Sequence, residues 1–396
     1  MKKKLLFVIP ALEVGGAEKS LINLLNEIDY SRYEVDLFLM SRTGLFLAQV
    51  PAAVNVLPES TAFRHFSGPF HISLLHFLKK REMLYFWNKI LFTFANRIYR
   101  SPVHAEQKSW RYLKCFFPLL EQQYDVAIGY LEKNANYIVA DRVKAKRKIG
   151  WIHTDLEQLG LDFSFERSHF KKLDYIVTVS EGLTDRLKAA MPEFTAKIRT
   201  VENINSKKAI LQLAQEEAAV EFDPSFTNII FVGRLEKVKG VDRALQAINI
   251  LVRKQYKVRL YLVGDGSERD YLVDQARTLE IMDQVFFLGM KPNPYPYIRN
   301  ADVYILTSTY EGKSISLEEA KILEKPIVIT DFSSAADQIE HQFTGLIAEK
   351  NPESIAHHIE QIITDPDLND KLTANLSQFY SGPESEVQKL YELIES

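Results

Sequence analysis

A chain of 396 residues, 46% apolar and 26% charged, is long enough for two ordinary α/β domains and has a globular balance. Its formal net charge of −3 gives no reason to expect nucleic acid as a partner, and a single cysteine, Cys115, excludes an intrachain disulfide framework and suits a reducing, cytoplasmic compartment. No run of about twenty uncharged apolar residues occurs, so no membrane-spanning helix is expected.

The basic start, residues 1–4, leads into a short apolar run that meets Glu13 and a glycine pair rather than a small-residue cleavage site, so it reads as a first strand and not as a leader. Residues 5–9 are continuously apolar, as in a parallel strand covered on both faces. Beyond Gly15-Gly16, the positions Leu21, Leu24, Leu25 and Ile28 share one face of a helix over about 17–28. Strand-like runs follow at 33–40, 126–128 and 175–179. Residues 63–118 break this pattern. They are dense in aromatics and basic, with ten Lys/Arg from Arg64 to Lys114 against Glu82 and Glu106. Such a stretch either packs as core helices with solvated charges or sets aromatics into a headgroup layer while its cations face anionic lipid. Lys79-Lys80-Arg81 beside Leu84-Tyr85-Phe86-Trp87 has the second character, as do Arg97, Arg100, Lys108, Arg111 and Lys114.

The alternation restarts after residue 225, with strands at 228–232, 258–263, 285–288, 303–306 and 327–329. Helices are expected between them at 241–254, 267–279, 294–300 and 316–324, then at 352–364 and 367–380. Such alternation predicts doubly wound parallel sheets with right-handed crossovers. Residues 205–225, with Ser206, Lys207, Lys208 and Glu216-Glu217, read as the linker between an N-terminal domain (1–204) and a C-terminal one (226–380). Gly382-Pro383 breaks the chain before a last helix, within 381–396, expected to pack back towards the N-terminal domain.

The strongest chemical signal runs from Glu311-Gly312-Lys313-Ser314-Ile315 to Glu318-Glu319. It sets a carboxylate, Glu311, at the C-terminal edge of a parallel sheet, before helix-start N–H groups at about 313–316 that suit a diphosphate. Glu319 lies about a turn into that helix, and carboxylates accept hydrogen bonds from vicinal sugar hydroxyls. The plainer alternative has Glu311 capping the helix and Glu319 solvated. Gly233-Arg234 through Lys239-Gly240 places two cations at the end of the first strand of its domain. Doubly wound sheets bind ligands there, and two cations can neutralise a departing diphosphate without a metal; a solvated basic turn is the alternative. Gly264-Asp265-Gly266 ends the next strand, and its glycines permit close backbone approach, as in any turn. No Asp-X-Asp ends a strand and no histidines pair at ligand spacing, so neither a metal nor a cofactor is expected.

In the first half, Gly15-Gly16-Ala17-Glu18 joins a strand end to a helix start, with Glu18 available as a cap. His153, in Gly150-Trp151-Ile152-His153-Thr154-Asp155, is either structural or functional; Asp155 orients it or caps a helix after it. Ser180 is expected to cap a helix.

The three second-half motifs, in one order and each at a strand end, resemble the C-terminal domain of the retaining glycosyltransferases of family 4. These have the GT-B fold, two doubly wound parallel-sheet domains facing each other across a cleft. The likeness is specific over about 228–350 and, more weakly, covers most of the chain except 63–118. It implies that Arg234 and Lys239 grip a donor diphosphate, that Glu319 binds the ribose and that Glu311 faces the donor sugar. Backbone near Ser314 and Ile315 would touch phosphate and sugar, with Gly233, Gly264, Asp265 and Gly312 lining the same site. Gly15 and Gly16 would lie against the diphosphate and sugar, His153 would face the sugar across the cleft, and Asn203 would fall where the chain crosses between domains. The sequence departs from the family at Lys313-Ser314, where Phe-Gly is common, so the usual transferred sugar does not carry over. The function implied is retaining transfer of a sugar from a nucleotide sugar, UDP-linked by family frequency, to a saccharide or lipid-linked saccharide in surface-polysaccharide synthesis. Such an enzyme would be cytoplasmic or peripheral on the inner face of the membrane, with 63–118 on anionic lipid. A GT-B epimerase or phosphorylase, and a non-catalytic nucleotide-sugar-binding subunit, are the alternatives.

Overall fold

The computed structural model describes residues 2–13, 15–99, 101–379 and 384–396; Arg100 and the expected break at Gly382-Pro383 lie outside the described residues. The chain divides into two units, Met1–Asn203 with Glu386–Ser396, and Ile204–Ser385.

The first unit is built on a seven-stranded sheet. Its strands are β1 (Lys3–Ile9), β2 (Tyr33–Leu39), β3 (Val54–Val56), β4 (Leu120–Gly129), β5 (Val143–Ile152), β6 (Tyr175–Thr178) and β7 (Ile198–Thr200). Every pairing is parallel, in the order β3-β2-β1-β4-β5-β6-β7. Leu5 to Ile9 are wholly buried, as a strand covered on both faces requires. The chain winds outward from β1 one way and from β4 the other, so the crevice at this reversal opens beyond the ends of β1 and β4.

The second unit repeats the plan with six strands: β8 (Thr227–Val232), β9 (Val258–Val263), β10 (Val285–Gly289), β11 (Val303–Leu306), β12 (Ile327–Thr330) and β13 (Leu346–Ala348). All pair in parallel in the order β10-β9-β8-β11-β12-β13, with the reversal between β8 and β11. Residues 205–225, expected as a linker, instead belong to this unit. Lys207–Leu213 is a helix, Ile210 and Ala214 are buried in the core, and Arg299 Nη1 donates to the Ala214 carbonyl at 3.2 Å. Two apolar residues four apart gave that helix a face to bury. The last helix, Glu384–Glu395, buries Leu390 and Ile394 within the first unit, where Tyr33 Oη donates to Glu395 at 2.8 Å.

The aromatic and basic stretch is four helices: Thr61–Ser67, Phe70–Lys79, Met83–Ile98 and Pro102–Leu113. Ser60 and Ser101 cap the first and last, accepting from the amides of Phe63 (3.2 Å) and His104 (3.3 Å). Phe66, Phe77, Trp110, Phe116 and Phe117 are core, whereas the middle two helices leave much of their apolar surface in solvent.

Candidate functional site

In the second unit the loop after β8 is tied to the end of β11. Gly240 takes φ +59, and a Cβ there would come within 2.3 Å of the Thr307 carbonyl, so glycine lets the two backbones meet. Around it, Thr307 Oγ1 donates to the Lys239 carbonyl (3.0 Å), Arg243 Nη2 donates to the Thr307 carbonyl (2.7 Å), and the Thr309 amide donates to the Val238 carbonyl (2.7 Å). These ties bring together two charges 72 residues apart. Lys239 Nζ lies 2.5 Å from Glu311 Oε1, which also accepts from Ser308 Oγ at 2.6 Å. Both sit at the reversal of the second sheet, Lys239 after β8 and Glu311 after β11. Arg234, on the same loop, is exposed and makes no ion pair among the described residues.

Gly264 and Asp265 support that loop. Gly264 has φ +144, and a Cβ on it would lie 1.9 Å from the Gly233 carbonyl; the Asp265 carbonyl accepts from the Leu235 amide at 2.9 Å. Their part here is to shape the turn that carries Arg234.

The helix Ile315–Ile322 is capped by Ser314, whose Oγ accepts from the Leu317 amide at 3.4 Å, so Glu311 is not the cap. The Ser314 amide, expected near the donor, already donates to Gln338 Oε1 at 2.8 Å, and Gly312, Ser314 and Ile315 are buried. Glu319 is not a solvated acid. It is 1% exposed and accepts from Tyr295 Oη at 3.1 Å, while burial, first, and Glu319 raise the Tyr295 phenol well above its ordinary pKa. A ribose at Glu319 has to share or displace that bond. Glu318 pairs with Lys321 at 2.8 Å: burial works against ionisation there, but the charges of Lys321 and Lys313 hold that carboxyl below its usual range.

In the first unit, Gly15 is the N-cap of the helix Gly16–Glu27. A Cβ on Gly15 would fall 2.2 Å from Glu18 Oε2, so the Glu18 carboxylate folds back over the helix start. His153 follows β5. Its backbone amide donates to Glu132 Oε2 at 3.0 Å, and its Nε2 is buried with no hydrogen-bond partner. Burial lowers the imidazole pKa to about 3. Burial also raises Glu132, against hydrogen bonds from His153 and Thr154. Asp155 does not orient His153: it caps the next turn at the Glu157 amide (3.0 Å) and pairs with Arg186 (3.0 Å). Sequence reasoning missed Glu132 and Gln338. Glu132 follows β4 beside the first sheet's reversal, so a carboxylate just past an apolar strand was its only signal. Ser180 caps the helix Glu181–Ala190, accepting from the Leu183 amide at 3.2 Å.

Residues 215–379 match the family described as glycosyl transferases group 1. An uncharacterized glycosyltransferase of Methanocaldococcus jannaschii is 27% identical over 48% of this chain and 51% of its own. The capsular polysaccharide biosynthesis glycosyltransferase CapM of Staphylococcus aureus is 30% identical over 37% of this chain and 39% of its own. The lipopolysaccharide core biosynthesis glycosyltransferase LpsE of Rhizobium meliloti is 26% identical over 55% and 62%. The chain thus spans between about two fifths and three fifths of these curated relatives. Anabaena HepE, solved in complex with UDP, superposes with a TM-score of 0.68 at 18% identity, covering all of both chains, a likeness of fold.

Proposed function

We infer, from a chain whose residues 215–379 match the group 1 glycosyl transferases and which folds as two GT-B-type parallel-sheet units, that the protein transfers a sugar from a nucleotide sugar to a saccharide hydroxyl. The observation that carries this is the meeting of Lys239 and Glu311 at the reversal of the second sheet, with Arg234 exposed on the same loop as Lys239. A carboxylate there accepts sugar hydroxyls, and two cations hold a diphosphate and stabilise it as it leaves. The complex of HepE with UDP supports a uridine diphosphate as that group.

Transfer proceeds with retention. The acceptor hydroxyl oxygen bonds to the anomeric carbon on the face from which the diphosphate departs. The bond from that carbon to the diphosphate oxygen breaks, and the hydroxyl proton passes to the leaving phosphate. Arg234 and Lys239, not a divalent ion, carry the developing charge. Within the second unit, Glu319 and the loop Gly312–Ile315 complete the donor site; within the first, the helix start at Gly15-Gly16 and His153 are the groups suited to phosphate and sugar, and that unit is assigned the acceptor. The product belongs to surface-polysaccharide synthesis on the inner face of the membrane, a setting suggested by the names of CapM and LpsE.

UDP and UDP-sugars should raise the thermal transition of the wild type, by the equivalent of about 2.7 kcal/mol at a hundredfold excess over Kd. Arg234→Ala and Lys239→Ala should each lose most of that stabilisation and all detectable transfer of labelled sugar to envelope extract; the ligand-free transition should be unchanged in Arg234→Ala and lowered in Lys239→Ala, which leaves the largely buried Glu311 carboxylate without its cation. Normal turnover in either variant ends the mechanism. Product from labelled donor without acceptor would indicate an epimerase or phosphorylase, and donor binding without transfer to any extract an idle subunit.

A further inference from the structure

The helices Phe70–Lys79 and Met83–Ile98 pack against each other as a hairpin and are amphipathic the wrong way round for a surface in water. On the second, Leu84 (64% exposed), Trp87 (55%), Leu91, Phe94 (59%) and Ile98 (74%) form one solvent-facing stripe, spaced three and four residues apart. Lys89 on the same helix is turned inward. It is 8% exposed, its Nζ donates to the Phe66 carbonyl at 2.6 Å, and it lies 4.3 Å from the Phe66 ring centre. The first helix exposes Phe70, Ile72, Leu75 and Leu78. An apolar face of this extent, on two adjacent helices, needs a covering.

We propose that this hairpin docks the protein on an anionic lipid surface, its apolar stripes entering the headgroup and upper acyl region. The charge around the stripes selects this occupant. Lys79, Lys80 and Arg81 at the turn and Arg97 near the far end are all exposed, against the single acid Glu82. A second copy would bring cations against cations, and the positions flanking the Leu84–Ile98 stripe (Asn88, Ile90, Ala95 and Arg97) offer no opposite charges for helix pairing. An anionic headgroup layer is opposite in sign to four of the five charges on this rim, all but Glu82, while Trp, Phe and Leu lie about 5–10 Å deep on such surfaces. No helix among the described residues is long and apolar enough to cross a membrane, so this is attachment at the interface. The proposal stands apart from the transfer reaction and does not depend on it.

The chain carries its own reporter. Of its three tryptophans, Trp110 and Trp151 are 2% and 1% exposed, so a change in emission on binding belongs to Trp87. The full chain is mixed with phosphatidylcholine vesicles containing about 30% phosphatidylglycerol. It should co-sediment at low salt, shift its emission to the blue and lose iodide quenching, with binding falling several-fold between about 0.05 and 0.3 M salt. Trp87→Phe should still sediment but lose the spectral change. Leu84→Asp combined with Phe94→Asp should weaken binding by roughly tenfold or more. Both positions are exposed, so that variant should melt like the wild type. Absence of sedimentation at low salt overturns the proposal, as does binding that leaves Trp87 open to iodide. A vesicle-independent dimer abolished by the same double substitution would give the face to a second copy instead.

Discussion

At the scale of single residues, His153 and Glu132, two neighbouring groups of the first unit, are both held away from their ordinary pKa values by burial, and the shifts run in opposite directions. His153 is kept neutral by burial, with its pKa lowered to about 3. Unfolded, it titrates near 6.5, so between those values the unfolded chain binds the extra proton. Its contribution is therefore complete above about 6.5 and is lost as pH falls towards 3, with a slope of at most about 1.4 kcal/mol per pH unit. Glu132, raised by burial, contributes stability below the ordinary carboxyl pKa and loses it as pH rises through its folded value. His153→Asn isolates the first effect. All three tryptophans lie in the first unit, so urea unfolding followed by tryptophan emission reads that unit. On going from pH 7 to 5 the wild type should lose more stability than the variant; parallel pH profiles would mean that His153 is protonated in the folded state.

At the scale of elements, the site depends on how closely strand-end loops can approach. Gly264 and Gly289, in the second unit, separate backbone strain from collision. Both have positive φ, +144 and +70, but a Cβ on Gly264 would strike the Gly233 carbonyl whereas one on Gly289 meets nothing within 4 Å. Gly289→Ala should cost about 1–2 kcal/mol, the strain of a left-handed residue. Gly264→Ala should cost clearly more, and should also weaken UDP binding by moving the loop that carries Arg234. Calorimetry and UDP titration of both variants check this, and equal losses would mean that the contact is not what needs glycine.

The same elements show what a sequence displays. β1, β8 and β10 to β12 each carry a continuous apolar run, and β2 and β9 are apolar apart from Glu34, Asp36 and Arg259, so all of these were legible. β5 was not, because its first half, Val-Lys-Ala-Lys-Arg-Lys, spends its alternate positions on cations. β3, β7 and β13, of three residues each, are too short to show a period. Lys239 and Glu311 were legible because both ends of their contact lie in motifs. Glu132 under His153, and Gln338 on the Ser314 amide, depend on which strand ends become neighbours, and composition does not encode that.

At the scale of the whole molecule, the chain leaves the first unit near Asn203 and re-enters it at Glu386, so the stability of the first unit depends on the last eleven residues of the chain. That segment buries Val387, Leu390, Tyr391, Leu393 and Ile394. It also supplies polar partners: the Asp29 amide donates to Tyr391 Oη at 2.8 Å, and Arg147 Nη1 donates to the carbonyls of Leu393 (2.9 Å) and Ile394 (3.1 Å). At about 1.5–3 kcal/mol for each large apolar side chain, deleting 386–396 removes a contribution comparable with the whole stability of an ordinary domain. The deletion should therefore unfold the first unit, or lower its tryptophan-detected transition by more than about 10 °C. Leu390→Ala, at about 2–5 kcal/mol, gives a milder form of the same loss should the deletion fail to accumulate. The second unit's buried apolar core runs from Ile210 to Leu376 and contains nothing from the deleted segment, so its own calorimetric transition should stay in place. A tryptophan transition unmoved by Leu390→Ala would show that the returning helix lies on the first unit without supporting it.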